Sequence, residues 1–193
     1  MKTNRNIFLS IVFAICALIS SCKKDEHGPH DDHDHSENEI ITTVQIAFKD
    51  SASNAVLTYR WENLGGFGLG STSTVDTIKL SPTRTYFATV LLLNKTNPAD
   101  VDTISNEVMQ LKNEHQFFYA TTGANLTSSY LSTDVDANGV PLGLFPKFVT
   151  GIASKGNLEV VLKHQPNVKP KTGQGDKNQG STDLNVTFPV EIK

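Results

Sequence analysis

From residue 40 onward, apolar and polar side chains alternate with a period of two, the spacing of strands that bury one face. Val44, Ile46 and Phe48 alternate with Thr43, Gln45 and Lys49, and Leu57, Tyr59 and Trp61 with Thr58, Arg60 and Glu62. Leu158, Val160 and Leu162 are interleaved with Glu159, Val161 and Lys163; Leu184, Val186, Phe188 and Val190 repeat the pattern near the C-terminus. Residues 86–94 are nearly all apolar, as in a central strand. Further strands are expected over 75–80, 117–121, 126–133 and 142–150. Eight or nine short strands with turn residues between them predict an all-β fold, an immunoglobulin-like β-sandwich, with a partly open barrel as the alternative.

One stretch breaks the period. Val101, Ile104, Val108 and Leu111 have helical spacing, and Pro98 and Asp100 suit a helix start, so one inserted helix is expected between Asn97 and Gln116.

Before residue 40 there is no such pattern. Lys2 and Arg5 precede an apolar run over residues 7–19 that Ser10 alone interrupts, too short for a permanent membrane span. Ile19-Ser20-Ser21-Cys22 then matches a lipobox: an aliphatic residue, two small residues and the cysteine whose thiol takes up a diacylglyceryl group. The expected organisation is a lipoprotein signal peptide over 1–21, a lipidated arm over 22–39 and a sandwich domain over 40–193. Several acyl chains, palmitate among them, anchor stably where one is marginal. Cys16 falls in the signal and Cys22 under the lipid. The domain therefore has no thiol, which excludes thiol catalysis, Cys-ligated zinc and iron–sulfur clusters.

The arm holds four of the six histidines: His27, His30, His33 and His35, interleaved with Asp31, Asp32 and Asp34. No lysine or arginine occurs between residues 25 and 39. Such a segment has no apolar area to offset its conformational entropy, so disorder is expected. Imidazoles bind zinc and suit copper and nickel, and carboxylates add charge and further ligands. The irregular spacing fits a flexible chain wrapping one or more divalent ions rather than a fixed structural site. A solvated spacer between membrane and domain is the competing reading, and the two are compatible. From residue 40 there are thirteen basic and thirteen acidic residues, so the domain is neutral and the arm carries the net negative charge. A neutral domain with an acidic arm argues against nucleic-acid binding.

Within the domain, Asp134, Asp136 and Asn138, followed by Gly139, fit the start of a calcium loop. Phe145 stands where such a loop needs a bidentate glutamate, and Asn138-Gly139 equally suits a type I′ hairpin turn. His115, after Glu114, and His164, in phase with Leu158, Val160 and Leu162, are candidates for a second metal site, although no spacing argument joins them. The glycines over residues 65–70 lack the strand–helix context of a dinucleotide site. Residues 166–181, with Lys169, Lys171 and Lys177, read as a mobile basic loop. No Gly-x-Ser-x-Gly, His-Glu-x-x-His or Walker pattern occurs, so no enzyme is expected.

The segments Glu-His-Gln-Phe-Phe-Tyr at 114–119, Asp-x-Asp-x-Asn-Gly-x-Pro-x-Gly-Leu at 134–144, Gly-Asn-Leu-Glu-Val-Val-Leu-Lys-His-Gln-Pro at 156–166 and Thr-Asp-Leu-Asn-Val-Thr-Phe-Pro-Val at 182–190 resemble a group of small Bacteroidetes lipoproteins. A His/Asp arm also belongs to that resemblance, and Lys23-Lys24-Asp25-Glu26 resembles the surface-export signal of such lipoproteins. Members are often named after the type 1 periplasmic binding fold, which needs two α/β lobes; this chain is too short and too β-rich for it. The resemblance implies an outer-membrane protein beside a TonB-dependent receptor, some members having a metal-uptake flavour. The expected function is non-enzymatic capture of zinc or another divalent transition metal by the arm. The alternative is a surface module that recognises glycan, peptide or protein through its sandwich loops, with the arm as tether.

Overall fold

The computed structural model describes residues 40–70 and 72–193. The expected signal over 1–21, the lipidation position Cys22 and the arm ligands His27, His30, Asp31, Asp32, His33, Asp34 and His35 lie outside the described residues.

Among the described residues, ten strands and one helix follow in order: β1 (Thr43–Asp50), β2 (Val56–Glu62), β3 (Thr74–Val75), β4 (Ile78–Leu80), β5 (Thr85–Leu93), α1 (Ile104–Gln110), β6 (His115–Thr122), β7 (Leu126–Ser129), β8 (Lys147–Thr150), β9 (Ser154–His164) and β10 (Ser181–Ile192). They form two sheets, with orders β3-β2-β1-β5-β8-β7 and β4-β10-β9-β6. All pairings are antiparallel except β4 with β10. The expected all-β, two-sheet architecture is present. No helix among the described residues is long and apolar enough to cross a membrane.

Period-two patterning translates directly into the core. Val44, Ile46 and Phe48 on β1 and Tyr86, Ala88, Val90 and Leu92 on β5 face inward from the larger sheet. They meet Phe117 on β6, Leu158, Val160 and Leu162 on β9, and Leu184, Val186, Phe188 and Val190 on β10. Phe148 joins the layers: its ring lies 5.2 Å from Phe48 and, edge to face, 5.6 Å from Tyr119 of the opposite sheet. Leu57 is the exception, at 38% exposure, because β2 has only the two-residue β3 on its outer side.

The strand expected over 126–133 covers only Leu126–Ser129, and three further expectations change. The helix covers Ile104–Gln110 rather than most of 97–116. Upstream, the short side chain of Asn97 accepts from the Ala99 N–H at 3.1 Å, and Asp102 bridges to Asn94, both of which compete with helical bonding. Downstream, the aromatic run of Gln116-Phe117-Phe118-Tyr119 is claimed by β9. Ile104 and Val108, one turn apart, are buried, and Ser105 Oγ accepts from the Leu92 N–H of β5 at 2.6 Å. The single strand expected over 75–80 is two, β3 joining the larger sheet and β4 the smaller, so this segment is a crossing between layers. In the strand expected over 142–150, only Lys147–Thr150 is regular. Ahead of it, the carbonyls of Leu144 and Pro146 still accept from Val90 and Ala88 at 3.0 and 2.8 Å.

Truncating Phe148 to alanine removes the ring that joins the sheets and is expected to cost about 3–5 kcal/mol of unfolding free energy. Phe87→Ala, on the outer face at 44% exposure, is expected to change it by no more than about 0.5 kcal/mol. Urea unfolding of both variants checks the assignment; similar losses would contradict it.

Candidate functional site

β9 pairs with β6 on one side and β10 on the other. Its register with β6 sets His115 directly opposite His164, at the start of one strand and the end of the other. Directly opposed residues point to the same face of an antiparallel pair, and the two imidazoles stack with centroids 4.7 Å apart and 7° between planes. On the other side the β9–β10 register shifts between Thr182 and Leu184. The extra residue there is Asp183. A bulge re-aims a side chain, and both Asp183 and Leu184 are buried at this step while Thr182 is exposed. Three strands thereby bring ligand atoms of His115, His164 and Asp183 within 4.8 Å of one another.

Two of the three side chains are deeply buried. The side chains of His115 and Asp183 are each 2% exposed and that of His164 17%. His115 Nδ1 lies 3.2 Å from the carbonyl of Leu111, which can only accept, so the proton belongs on Nδ1. His115 Nε2 then faces Asp183 Oδ2 at 3.6 Å. His164 Nε2 faces Glu114 Oε2, also at 3.6 Å, where Glu114 sits at the rim with a side chain 39% exposed. Neither oxygen of Asp183 has a hydrogen-bond partner, nor has His164 Nε2. Burial pushes the Asp183 carboxyl up to about 6, against the opposing pull of His164 and Lys163. The Lys163 ammonium is itself bound to Thr182 Oγ1 at 2.9 Å.

Sequence reasoning found His115 and His164 but left Asp183 outside its strand. The signal that would have found it is an aspartate wedged between Thr182 and the apolar alternation starting at Leu184, a position where a bulge turns a polar side chain inward.

The calcium reading of Asp134, Asp136 and Asn138 is not carried forward, because these groups already have other partners. Asp136 Oδ2 lies 3.1 Å from the ammonium of Lys169, a buried cation that also donates to the Lys112 carbonyl at 2.6 Å. Its Oδ1 accepts from the backbone N–H groups of Asn138 and Val140. Asp134 Oδ2 accepts from the Phe145 N–H at 2.7 Å; burial raises this carboxyl, and backbone N–H groups of Phe145, Gly143 and Leu144 oppose the rise. Asn138 is exposed. The turn is a hairpin, but of the pair only Gly139 has a positive φ, +78°, so it is not type I′. Lys169 itself is pulled down by burial, opposed by the Asp136 carboxylate.

Lys169 also corrects the view of residues 166–181 as a mobile loop. Besides the buried Lys169–Asp136 pair, Gln165 Nε2 donates to the carbonyls of Asp176 and Gln179 at 2.6 and 3.0 Å. Gln116 Nε2 donates to that of Gln174 at 2.8 Å. Gly175 lies so close to Gln116 that a Cβ there would be 1.9 Å from Oε1. The loop is strapped to the same end of the smaller sheet that carries the histidines.

No protein-family model matches this chain, and no curated protein or solved structure matches it.

Breaking the buried pair with Lys169→Met is expected to cost about 3–5 kcal/mol, and adding Asp136→Leu to recover most of it. Calcium is expected to leave Tm unchanged, since an ammonium already neutralises Asp136; a calcium-induced rise would restore the discarded reading. A carboxyl raised above its unfolded value binds a proton more readily when folded, so Asp183 costs stability above pH 6 and the cost fades as pH falls toward 4. In metal-free protein, Asp183→Asn is expected to be more stable than wild type at pH 7.5 by on the order of 3 kcal/mol, and the gap to close by pH 4. A gap independent of pH would contradict the assignment.

Proposed function

We propose that this chain is a non-enzymatic, lipid-anchored outer-membrane protein that captures divalent transition metal, zinc first, and either buffers it there or passes it to a TonB-dependent receptor. The observation that carries the reading is the ligand set of residues 27–35, four imidazoles and three aspartates without one cation, five residues beyond a lipidation cysteine. The folded domain adds support of the same kind, a stacked pair of imidazoles beside a carboxylate that has no hydrogen-bond partner. Tethered at Cys22, the arm stays within roughly 60 Å of the membrane even when fully extended, which concentrates ligands where a receptor would draw on them.

A second reading has a separate basis. Leu64 and Leu69, 62% and 64% exposed, stand on the loop that packs against Ile40, where the chain enters the domain. Such a loop suits recognition of a glycan, peptide or protein by an immunoglobulin-like sandwich.

Zinc titration of the chain from residue 23 decides between them. Replacing His27, His30, His33 and His35 by alanine is expected to remove most of the zinc equivalents taken up near pH 7. Equal uptake by the two proteins would refute capture by the arm.

A further inference from the structure

We propose that the folded domain holds a second transition-metal site, independent of the arm, in which His115 Nε2, His164 Nε2 and a carboxylate oxygen of Asp183 bind Zn²⁺ or an ion of similar size and softness, with Glu114 at the rim as fourth ligand.

Two observations point to an ion rather than to a structural hydrogen-bond cluster. The first is a mismatch of donors and acceptors. His115 Nδ1 lies against the Leu111 carbonyl, and its Nε2 faces Asp183 Oδ2 at 3.6 Å, beyond hydrogen-bond distance. His164 Nε2 and both Asp183 oxygens are buried with no hydrogen-bond partner. Buried acceptors gathered without donors are costly unless something positive sits among them. Lys163 pulls on Asp183 but makes no hydrogen bond to it. Lys163 is engaged by Thr182, and Lys169 by Asp136 and the Lys112 carbonyl.

The second is the design of the ligand shell. A metal-bound histidine typically donates its other N–H to a backbone carbonyl, which fixes the tautomer and the ring; His115 already does this through Leu111. Two neutral imidazoles, two carboxylates and a divalent cation sum to zero charge, as a buried site requires. The donor set of two nitrogens and carboxylate oxygens favours zinc, copper or nickel over calcium and magnesium, which take oxygen shells. The ligand atoms of His115, His164 and Asp183 lie within 4.8 Å of one another, and Glu114 Oε2 lies 3.6 Å from His164 Nε2. A shell at about 2.0–2.2 Å from zinc places them roughly 3.5 Å apart, so binding must draw them inward and tilt the stacked rings out of their parallel arrangement. The half-exposed Glu114 beside His164 marks the side from which an ion enters.

This site stands or falls separately from the arm. The test uses the chain from residue 23 with the four arm histidines replaced by alanine, titrated with zinc by calorimetry. One equivalent is expected. Asp183→Asn on this background keeps the side-chain shape and is expected to weaken binding more than about 100-fold, beyond what loss of an outer-shell partner does. Thermal unfolding supplies a readout independent of stoichiometry: zinc raises the Tm of the arm-substituted chain and leaves that of its Asp183→Asn variant unchanged. His115→Ala serves as a second variant, and loss of the equivalent is expected there too. No zinc uptake by the arm-substituted chain would overturn the proposal. So would an equivalent whose affinity Asp183→Asn leaves intact. Equal uptake with and without arm histidines would overturn the arm reading alone.

Discussion

The antiparallel register of β9 with its two neighbours is the constraint on which the candidate chemistry depends. It sets His115 opposite His164, and the bulge on β10 adds Asp183 to the same cluster. A slip of one residue between β6 and β9 would send one imidazole to the other face. It would also turn Phe117, which is fully buried, out of the core. The hydrophobic pattern that holds the sheet therefore also holds His115, His164 and Asp183 together, and only Glu114 comes from a turn. Sites built on strands keep their geometry better than sites on loops.

The same end of the sheet gathers the buried polar groups that an ordinary core avoids. His115, Gln116, Lys163, Gln165, Lys169 and Asp183 are all buried, and three of them, Gln116, Gln165 and Lys169, bind the strap of residues 166–181 or the turn over 134–140. Asp136 has the Lys169 ammonium 3.1 Å away and two backbone N–H groups on its Oδ1, whereas neither oxygen of Asp183 has a hydrogen-bond partner. One carboxylate has an ammonium beside it, and the other, the proposed ligand, has no hydrogen-bond partner.

The sheets were largely legible from the period-two pattern, because β1, β5, β9 and β10 each bury one face against the opposite layer. The boundaries were not. The crossing at residues 74–80 looks continuous in sequence because pattern does not encode which sheet a strand joins. The helix was overextended because Asn97 and Asp102 prefer local turns and β9 recruits residues from 115 onward. At the site, His115 and His164 stood out by residue type, but their meeting is a long-range pairing that no local spacing reveals. Asp183 was hidden by a bulge, and the pairing of Asp136 with Lys169 joins segments that no local spacing connects.

The central claim is that this chain is built to hold divalent transition metal at defined ligands. Crystals of the chain with one equivalent of zinc, measured at the zinc absorption edge, test it most directly. The account predicts an anomalous peak about 2.0–2.2 Å from His115 Nε2, His164 Nε2 and an Asp183 oxygen. Zinc-loaded crystals with an ordered Asp183 and no peak among those three side chains would contradict it.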